Sequence, residues 1–179
     1  MLISNLSSNN KVSKVAMTPT VVPAVTVEAT RSAVYAVTVA GAKEMKLNQT
    51  GAIEVQAAGN VDESLDSVNV YLKYDPTAFE ISNLTFDAKL GTPTFSKVSQ
   101  TTGLLVANFL ISAPAGLKVS GGEVLSLMKF NVKPIKTGVF SFEVSTGNGN
   151  KEAATMFVEN TTSKILPFTS SNLAVNVSR

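Results

Sequence analysis

The sequence contains no histidine, no cysteine and no tryptophan in 179 residues. Without histidine and cysteine, neither Ser-His-Asp nor Cys-His nucleophilic catalysis can be assembled. Zinc sites built from imidazole or thiolate are excluded for the same reason. Paired carboxylates remain as a catalytic tool, but the glutamates lie singly along the chain. We therefore predict that this protein is not an enzyme.

Charge is sparse and evenly spread. Charged residues make up 16% of the chain, the net charge is +2, and the basic residues form no cluster. A nucleic-acid-binding surface needs a basic patch, which is missing here. No apolar run approaches the roughly 20 residues that span a bilayer, and the first residues lack the basic and apolar regions of a signal peptide. The 44% of hydrophobic residues predicts a folded globule.

One stretch sets the pattern for the rest of the chain. Val68, Val70, Leu72 and Tyr74 alternate with Asn, Tyr and Lys residues, and this period of two is typical of a strand buried on one face. Asp75 and the proline after it end the strand, because proline cannot donate to a sheet. We predict a central β-strand here.

Similar segments follow at the spacing of a β-sandwich, and no segment shows an apolar stripe of helical period. One of them, 124–132, is predicted to place Val124, Met128, Phe130 and Val132 in the core. We predict an all-β fold, a two-layer jelly-roll or immunoglobulin-like sandwich of about nine strands over 32–179, preceded by an N-terminal extension over 1–31. The other predicted strands are 33–40, 52–58, 79–86, 94–98, 104–111, 139–144 and 172–177, and two short segments, 153–159 and 164–168, precede the last strand.

The extension contains an apolar segment with two prolines. Val21, Val25 and Val27 are spaced for an extended segment with one apolar face, and the prolines exclude a central strand. Two interpretations remain open. The segment is a linker or an edge strand of its own domain, or it is an arm that adds a strand to a neighbouring copy.

The segment 104–111 is apolar on both faces, so one apolar set is left over once the core face is filled. Such a run is typical of a strand that is covered on both sides. The cover is either a binding partner, or a loop or the N-terminal segment of the same chain.

Two ligand hypotheses concern small numbers of residues. Asp62, Glu63 and Asp66 form the densest acidic group, within a loop predicted over 60–66. Carboxylates in a loop could hold Ca²⁺; the alternative is that these are solvated loop charges. A glycan-binding sandwich usually presents flat aromatic side chains. Alternation places Tyr35 and Tyr74 in the core, which leaves Tyr71 alone on the surface, so a carbohydrate-binding module is the alternative and not the main hypothesis.

A series of motifs runs in the order found in a known family. A strand that ends in Tyr74-Asp75-Pro76 is followed by the apolar strand 79–86, by 103–111, by 121–133 and by the closing 173–177. Over residues 33–179 this series resembles the cohesin family of bacterial cell-surface modules. The resemblance implies a jelly-roll sandwich that is a receptor for dockerin partners.

The resemblance also implies where the partner binds, on one open sheet face formed by the third, fifth, sixth and eighth strands. Mapped by order, these strands are 67–74, 94–98, 104–111 and 139–144. The outward residues assigned to this face are Asn69, Tyr71, Lys73, Leu104, Val106, Asn108, Leu110, Val139, Ser141 and Glu143.

We therefore expect a non-catalytic, extracellular or cell-surface protein that works by protein–protein contact. The partner is either a dockerin-like protein or further copies of the chain in a filament or coat, with Val21, Val25 and Val27 in the added strand. No cofactor is expected apart from Ca²⁺ at Asp62, Glu63 and Asp66.

Overall fold

A computed structural model describes residues 32–147 and 154–179. The predicted N-terminal extension, with Val21, Val25 and Val27, lies outside the described residues. The described chain forms fourteen strands and one 3-10 turn, Ala88–Leu90. The strands are β1 (Tyr35–Gly41), β2 (Glu44–Lys46), β3 (Gly51–Gly59), β4 (Glu63–Lys73), β5 (Phe79–Thr85), β6 (Phe95–Ser99), β7 (Leu104–Leu110), β8 (Leu117–Val119), β9 (Val124–Pro134), β10 (Gly138–Val144), β11 (Met156–Glu159), β12 (Ile165–Leu166), β13 (Phe168–Ser171) and β14 (Leu173–Ser178).

The strands form two sheets. Sheet I has the order β13-β1-β3-β9-β5. Sheet II has the order β12-β11-β4-β10-β14-β2, with β7 and β8 paired to β4 and β6 paired to β7. All described pairs are antiparallel except β1 with β13 and β2 with β14. The predicted all-β sandwich is confirmed.

Strand β4 is the centre of sheet II, as its alternating sequence predicts. Val68, Val70 and Leu72 are fully buried, while Asn69 and Tyr71 are half-buried on the outer face. One edge of β4 pairs with β7 and β8, and the other edge pairs with β10 and β11. Because both edges are paired along most of its length, β4 is a rigid platform for whatever its outer face carries.

Aromatic rings fill the space between the sheets. The ring of Phe142 lies 4.9 Å from that of Phe79 and 6.1 Å from that of Phe130, measured between centroids. At the other end, Tyr35 stacks on Phe157 at 4.4 Å. Each such side chain contributes about 1.5–3 kcal/mol by leaving water, so this aromatic core holds the two sheets together.

The prediction that Val124 lies in the core is wrong. Val124 is 54% exposed, and Leu125 and Leu127 are buried in its place. The register between β3 and β9 shifts at this point, with Val55 opposite Met128 but Gln56 opposite Ser126. This β-bulge inserts Leu127 into the strand and reverses the alternation, so residues before the bulge face opposite to what simple period-two counting predicts.

The number of strands also differs from the predicted nine. The loop predicted over 60–66 is shorter, because β4 already begins at Glu63. The short segment 164–168 is divided between the two sheets at Pro167, whose carbonyl accepts hydrogen bonds from the backbone N–H of Val34 (2.8 Å) and Tyr35 (3.4 Å). The segment therefore forms two short strands, β12 in sheet II and β13 in sheet I.

Candidate partner-binding face

The outer face of sheet II brings the predicted site residues of β4 and β7 together in regular cross-strand pairs. Leu104 lies opposite Lys73, Val106 opposite Tyr71, and Asn108 opposite Asn69. Directly opposed side chains on one face of an antiparallel pair lie within about 5.5 Å at Cβ. The alternation in the sequence therefore predicted this part of the face correctly.

These residues do not contribute surface equally. Leu110 is 66% exposed, whereas Val106 is only 6% exposed. Val106 points outward but is flanked on both sides, by Tyr71 on β4 and by Lys97 on β6. Among the residues of β4 and β7, exposed apolar area comes mainly from Leu110, with a smaller part from the half-buried Tyr71 and Leu104.

Sequence reasoning missed three apolar residues on the same face. Phe95 on β6 is 49% exposed and pairs with Asn108. Met156 and Val158 on β11 are half-buried and pair with Asn69 and Ser67 of β4. The signal for Phe95 was present, since 94–98 was assigned to this face. We name the exposed and half-buried apolar set the Tyr71 patch: Tyr71, Phe95, Leu110, Met156 and Val158.

The predicted residues of β10 border a separate feature. Glu143 pairs with Lys73, and its carboxylate accepts a hydrogen bond from the Ser141 hydroxyl at 2.6 Å. Val139, 74% exposed, lines the same cleft of about 510 Å³ together with Lys73 and Asp75. The predicted face thus consists of the Tyr71 patch and this polar cleft beside it.

Asn108 has an unusual environment for an outward side chain. Its side-chain oxygen is buried and has no hydrogen-bond partner in the structure. The backbone carbonyl of the same residue does have partners, since the N–H of Thr94 (2.8 Å) and the hydroxyl of Thr94 (3.0 Å) both donate to it. A desolvated amide oxygen without a donor is therefore located in the middle of the face.

The turn after β4 is stabilised by a side chain. The Asp75 carboxylate accepts hydrogen bonds from the Thr77 hydroxyl (2.7 Å) and the Thr77 backbone N–H (2.8 Å), and these bonds hold the pKa of Asp75 below its ordinary value. Tyr74, just before it, has its pKa raised by burial. The motif Tyr74-Asp75-Pro76 therefore ends β4 with a buried ring and a capped turn.

The three residues proposed for Ca²⁺ are not arranged as a cluster. The Asp62 carboxylate accepts from the Gly121 backbone N–H at 2.7 Å, and the Asp66 carboxylate accepts from the Asn160 amide. Within 32–147 and 154–179, no group of three or more acidic, histidine or cysteine side chains is placed to hold a metal ion. Glu63 and Asp66 also lie within a strand, not in the predicted loop. Calcium binding at Asp62, Glu63 and Asp66 stays a prediction.

The tyrosines lie where alternation predicts. Tyr35 is fully buried and Tyr74 is 6% exposed, and burial raises the pKa of Tyr35. On the outer face of sheet II, the aromatic side chains with exposed surface are Tyr71 and Phe95. Tyr71 shares its cross-strand row with a valine and a lysine, and Phe95 lies in a neighbouring row. The face is a mixed apolar and amide surface, which differs from the flat aromatic platform of a typical glycan site.

These features define a class of protein, a two-layer jelly-roll sandwich with one outer sheet face left apolar. Solved structures identify the fold more closely. The third cohesin of ScaC from Acetivibrio cellulolyticus, solved with the ScaB dockerin, is similar with a TM-score of 0.65 and 10% identity over 81% of this chain and 99% of that one. The OlpA cohesin from Clostridium thermocellum, solved with a dockerin, has a TM-score of 0.63 and 11% identity over 80% and 99%.

A third example comes from a different kind of parent protein. The cohesin module of a family 33 glycoside hydrolase from Clostridium perfringens has a TM-score of 0.60 and 14% identity over 82% of this chain and 98% of that one. The chain therefore has the cohesin fold, which confirms the resemblance drawn from its motifs. No family model and no curated protein sequence matches the chain. Among the described residues, no helix is long and apolar enough to cross a membrane.

Proposed function

We propose that this protein is a non-catalytic, protein-binding module whose partner is a dockerin-like protein. The partner would bind the outer face of sheet II, centred on the Tyr71 patch. The observation that carries this proposal is the combination of a cohesin fold with exposed apolar side chains on adjacent strands of one sheet.

The composition of the face supports a protein partner. Tyrosine, phenylalanine and methionine are enriched at the centres of protein interfaces, and charged residues are concentrated at their rims. Here Tyr71 lies on the central strand β4, with Met156 on β11 to one side and Phe95 on the outer strand β6 to the other. Lys73 and Glu143 lie at the border with the polar cleft. A sheet held on both sides by pairing presents these side chains with little ordering cost on binding.

The test is a binding measurement against dockerin modules encoded in the source genome, together with the dockerins from the solved complexes of similar cohesins. We expect at least one to bind with a dissociation constant in the micromolar range or tighter. The double variant Tyr71→Ala, Leu110→Asp should weaken that binding by about 100-fold or more, because it removes one anchor and buries a charge at the centre.

A matched control is available on sheet I. Val124 is also an exposed apolar residue of a strand, so Val124→Asp introduces the same charge on the opposite side of the sandwich. It should leave the dissociation constant within twofold. Equal losses for Leu110→Asp and Val124→Asp, binding to none of the dockerins, or saturable retardation in polysaccharide gels instead, would each contradict the proposal.

We further propose that the module works outside the cell or at the cell surface; among the similar cohesins, one belongs to a family 33 glycoside hydrolase and one to scaffoldin B. Antibody labelling of intact cells, compared with permeabilised cells, tests this. Self-assembly through Val21, Val25 and Val27 stays a prediction, because these residues lie outside the described part of the chain. Light scattering of the full chain measures it directly.

A further inference from the structure

Two side chains in the described residues have a buried oxygen without a hydrogen-bond partner, Asn108 and Tyr35. Buried polar atoms are nearly always paired in folded proteins, so each exception calls for a physical reason. Their positions differ. Tyr35 is fully buried and stacks on Phe157 inside the core, whereas Asn108 points outward on β7 in the middle of the proposed binding face.

The fold itself does not need an amide at position 108. The residues around it on the outer face are Phe95 and Asn69 directly opposite, and Val106 and Leu110 two positions away on β7. An apolar side chain of the same shape would fit these neighbours and would avoid the cost of a desolvated oxygen without a donor. A partner that donates a hydrogen bond to this oxygen would remove that cost.

We propose that the Asn108 side-chain oxygen accepts a hydrogen bond from the bound partner, and that through this bond Asn108 selects among partners at the outer face of sheet II. The inference rests on the proposed function. The last torsion of an asparagine side chain is broad, so the amide can turn toward the surface beside the half-exposed Phe95. The oxygen then meets a donor without a change in the backbone.

The surroundings favour a neutral donor. Lys97 occupies the position diagonal to Asn108 on β6, whereas Lys73 lies two rows away. An incoming ammonium or guanidinium group would be repelled by the Lys97 charge, whereas a hydroxyl or amide N–H would not. The partner thus places a hydroxyl or amide group at the centre of an otherwise apolar contact.

The test compares Asn108→Leu with Tyr35→Phe, which removes the other unpaired oxygen. Both variants should raise the melting temperature by about 2–6 °C, because each removes a buried polar atom without a partner. Their effects on binding of the dockerin found above should differ. Asn108→Leu is expected to weaken binding about 10- to 100-fold, since the partner's donor loses its acceptor, while Tyr35→Phe leaves the dissociation constant within twofold.

Asn108→Gln tests hydrogen bonding without a change of charge. It keeps the amide and its acceptor oxygen on a side chain one methylene longer, so it should bind at least about fivefold more tightly than Asn108→Leu even if the melting temperature falls. A loss as large as that of Asn108→Leu would overturn the acceptor role. A lower melting temperature for Asn108→Leu would also overturn the inference, because the oxygen would then have a partner in the free protein.

The outcomes distinguish this inference from the proposed function. If Asn108→Leu binds like wild type while Tyr71→Ala, Leu110→Asp does not bind, the face is correct and the role of Asn108 is wrong. If the double variant binds like wild type, or no dockerin binds, the proposed function fails and the inference fails with it.

Discussion

The outer faces of the two sheets are built differently. On sheet I the polar side chains satisfy one another. The Ser126 hydroxyl donates to the Glu54 carboxylate across β3 and β9, and its backbone N–H donates to Asp87 at 3.3 Å. Lys133 and Glu80 form an ion pair at 3.5 Å between β9 and β5.

On sheet II several outward side chains are exposed apolar groups or lack a hydrogen-bond partner. Phe95 and Leu110 keep about half or more of their surface in water, and the Asn108 side-chain oxygen has no donor. Both sheets use the same period-two alternation to fill one shared core, so the core does not explain the difference. The outer face of sheet I also carries an exposed apolar residue, Val124, but its polar side chains are paired. This contrast between the sheets is what the proposed binding of a partner on sheet II predicts.

The largest loss of stability is expected at a glycine next to sheet II. Gly103 joins β6 to β7 with φ of +63°, and a Cβ there would lie 2.1 Å from the Tyr74 carbonyl oxygen. Gly103→Ala should therefore lower the free energy of unfolding by about 3 kcal/mol or more. Gly122, in the turn before β9 of sheet I, has φ of +86° but no atom within 4 Å of a Cβ. Gly122→Ala should cost only about 1–2 kcal/mol; equal costs in urea denaturation would contradict this.

Next in size are two of the three patch residues that the sequence analysis missed. Phe95→Ala and Met156→Ala should each weaken binding of the dockerin about five- to tenfold, because each removes an apolar contact of the Tyr71 patch. Stability should change by less than about 1 kcal/mol, since both side chains are partly exposed in the free protein. Val124→Ala on sheet I is the matched control, and titration calorimetry should show no change for it.

The capped turn after β4 gives a pH-dependent effect. Asp75→Ala should lower the free energy of unfolding by about 1 kcal/mol at pH 7, because the backbone N–H and the hydroxyl of Thr77 lose their acceptor. Since folding lowers the pKa of Asp75, its stabilisation is present above the unfolded pKa of about 3.9 and is lost as the pH falls through the folded value. Urea denaturation should show a larger wild-type advantage at pH 7 than at pH 2.5.

The smallest effect is expected on sheet I. Glu80→Ala breaks the ion pair with Lys133, in which both side chains are largely exposed. Exposed pairs contribute about 0–1 kcal/mol, so we expect a loss of less than about 0.5 kcal/mol and no change in dockerin affinity. A change in affinity would show that the outer face of sheet I also takes part in binding.

The sequence predicted those parts of the fold that depend on local alternation. The inward and outward residues of β4 and β7 are correct, because burial on one face of a strand leaves a direct period-two signal. Val124 was misplaced because a bulge depends on the pairing of β9 with β3, which alternation within one strand does not contain. The start of β4 at Glu63 depends in the same way on its partner β8.

The candidate site was predicted in part for the same reason. Tyr71, Asn108 and Leu110 could be assigned to one face from their own strands and the family resemblance. Met156 and Val158 lie on that face because β11 pairs with β4, about 90 residues earlier in the chain. Alternation within β11 alone does not contain this pairing. The missing donor at Asn108 depends on the positions of all neighbouring side chains, and no sequence pattern reports it.

The most direct test of the account is a methyl NMR titration of the full chain with its dockerin. The account predicts that the methyl signals of Leu110, Met156 and Val158 on sheet II shift or broaden at saturation, while those of Val124 on sheet I stay unchanged. Shifts confined to Val124 and its neighbours, with the Leu110, Met156 and Val158 signals unmoved, would contradict it.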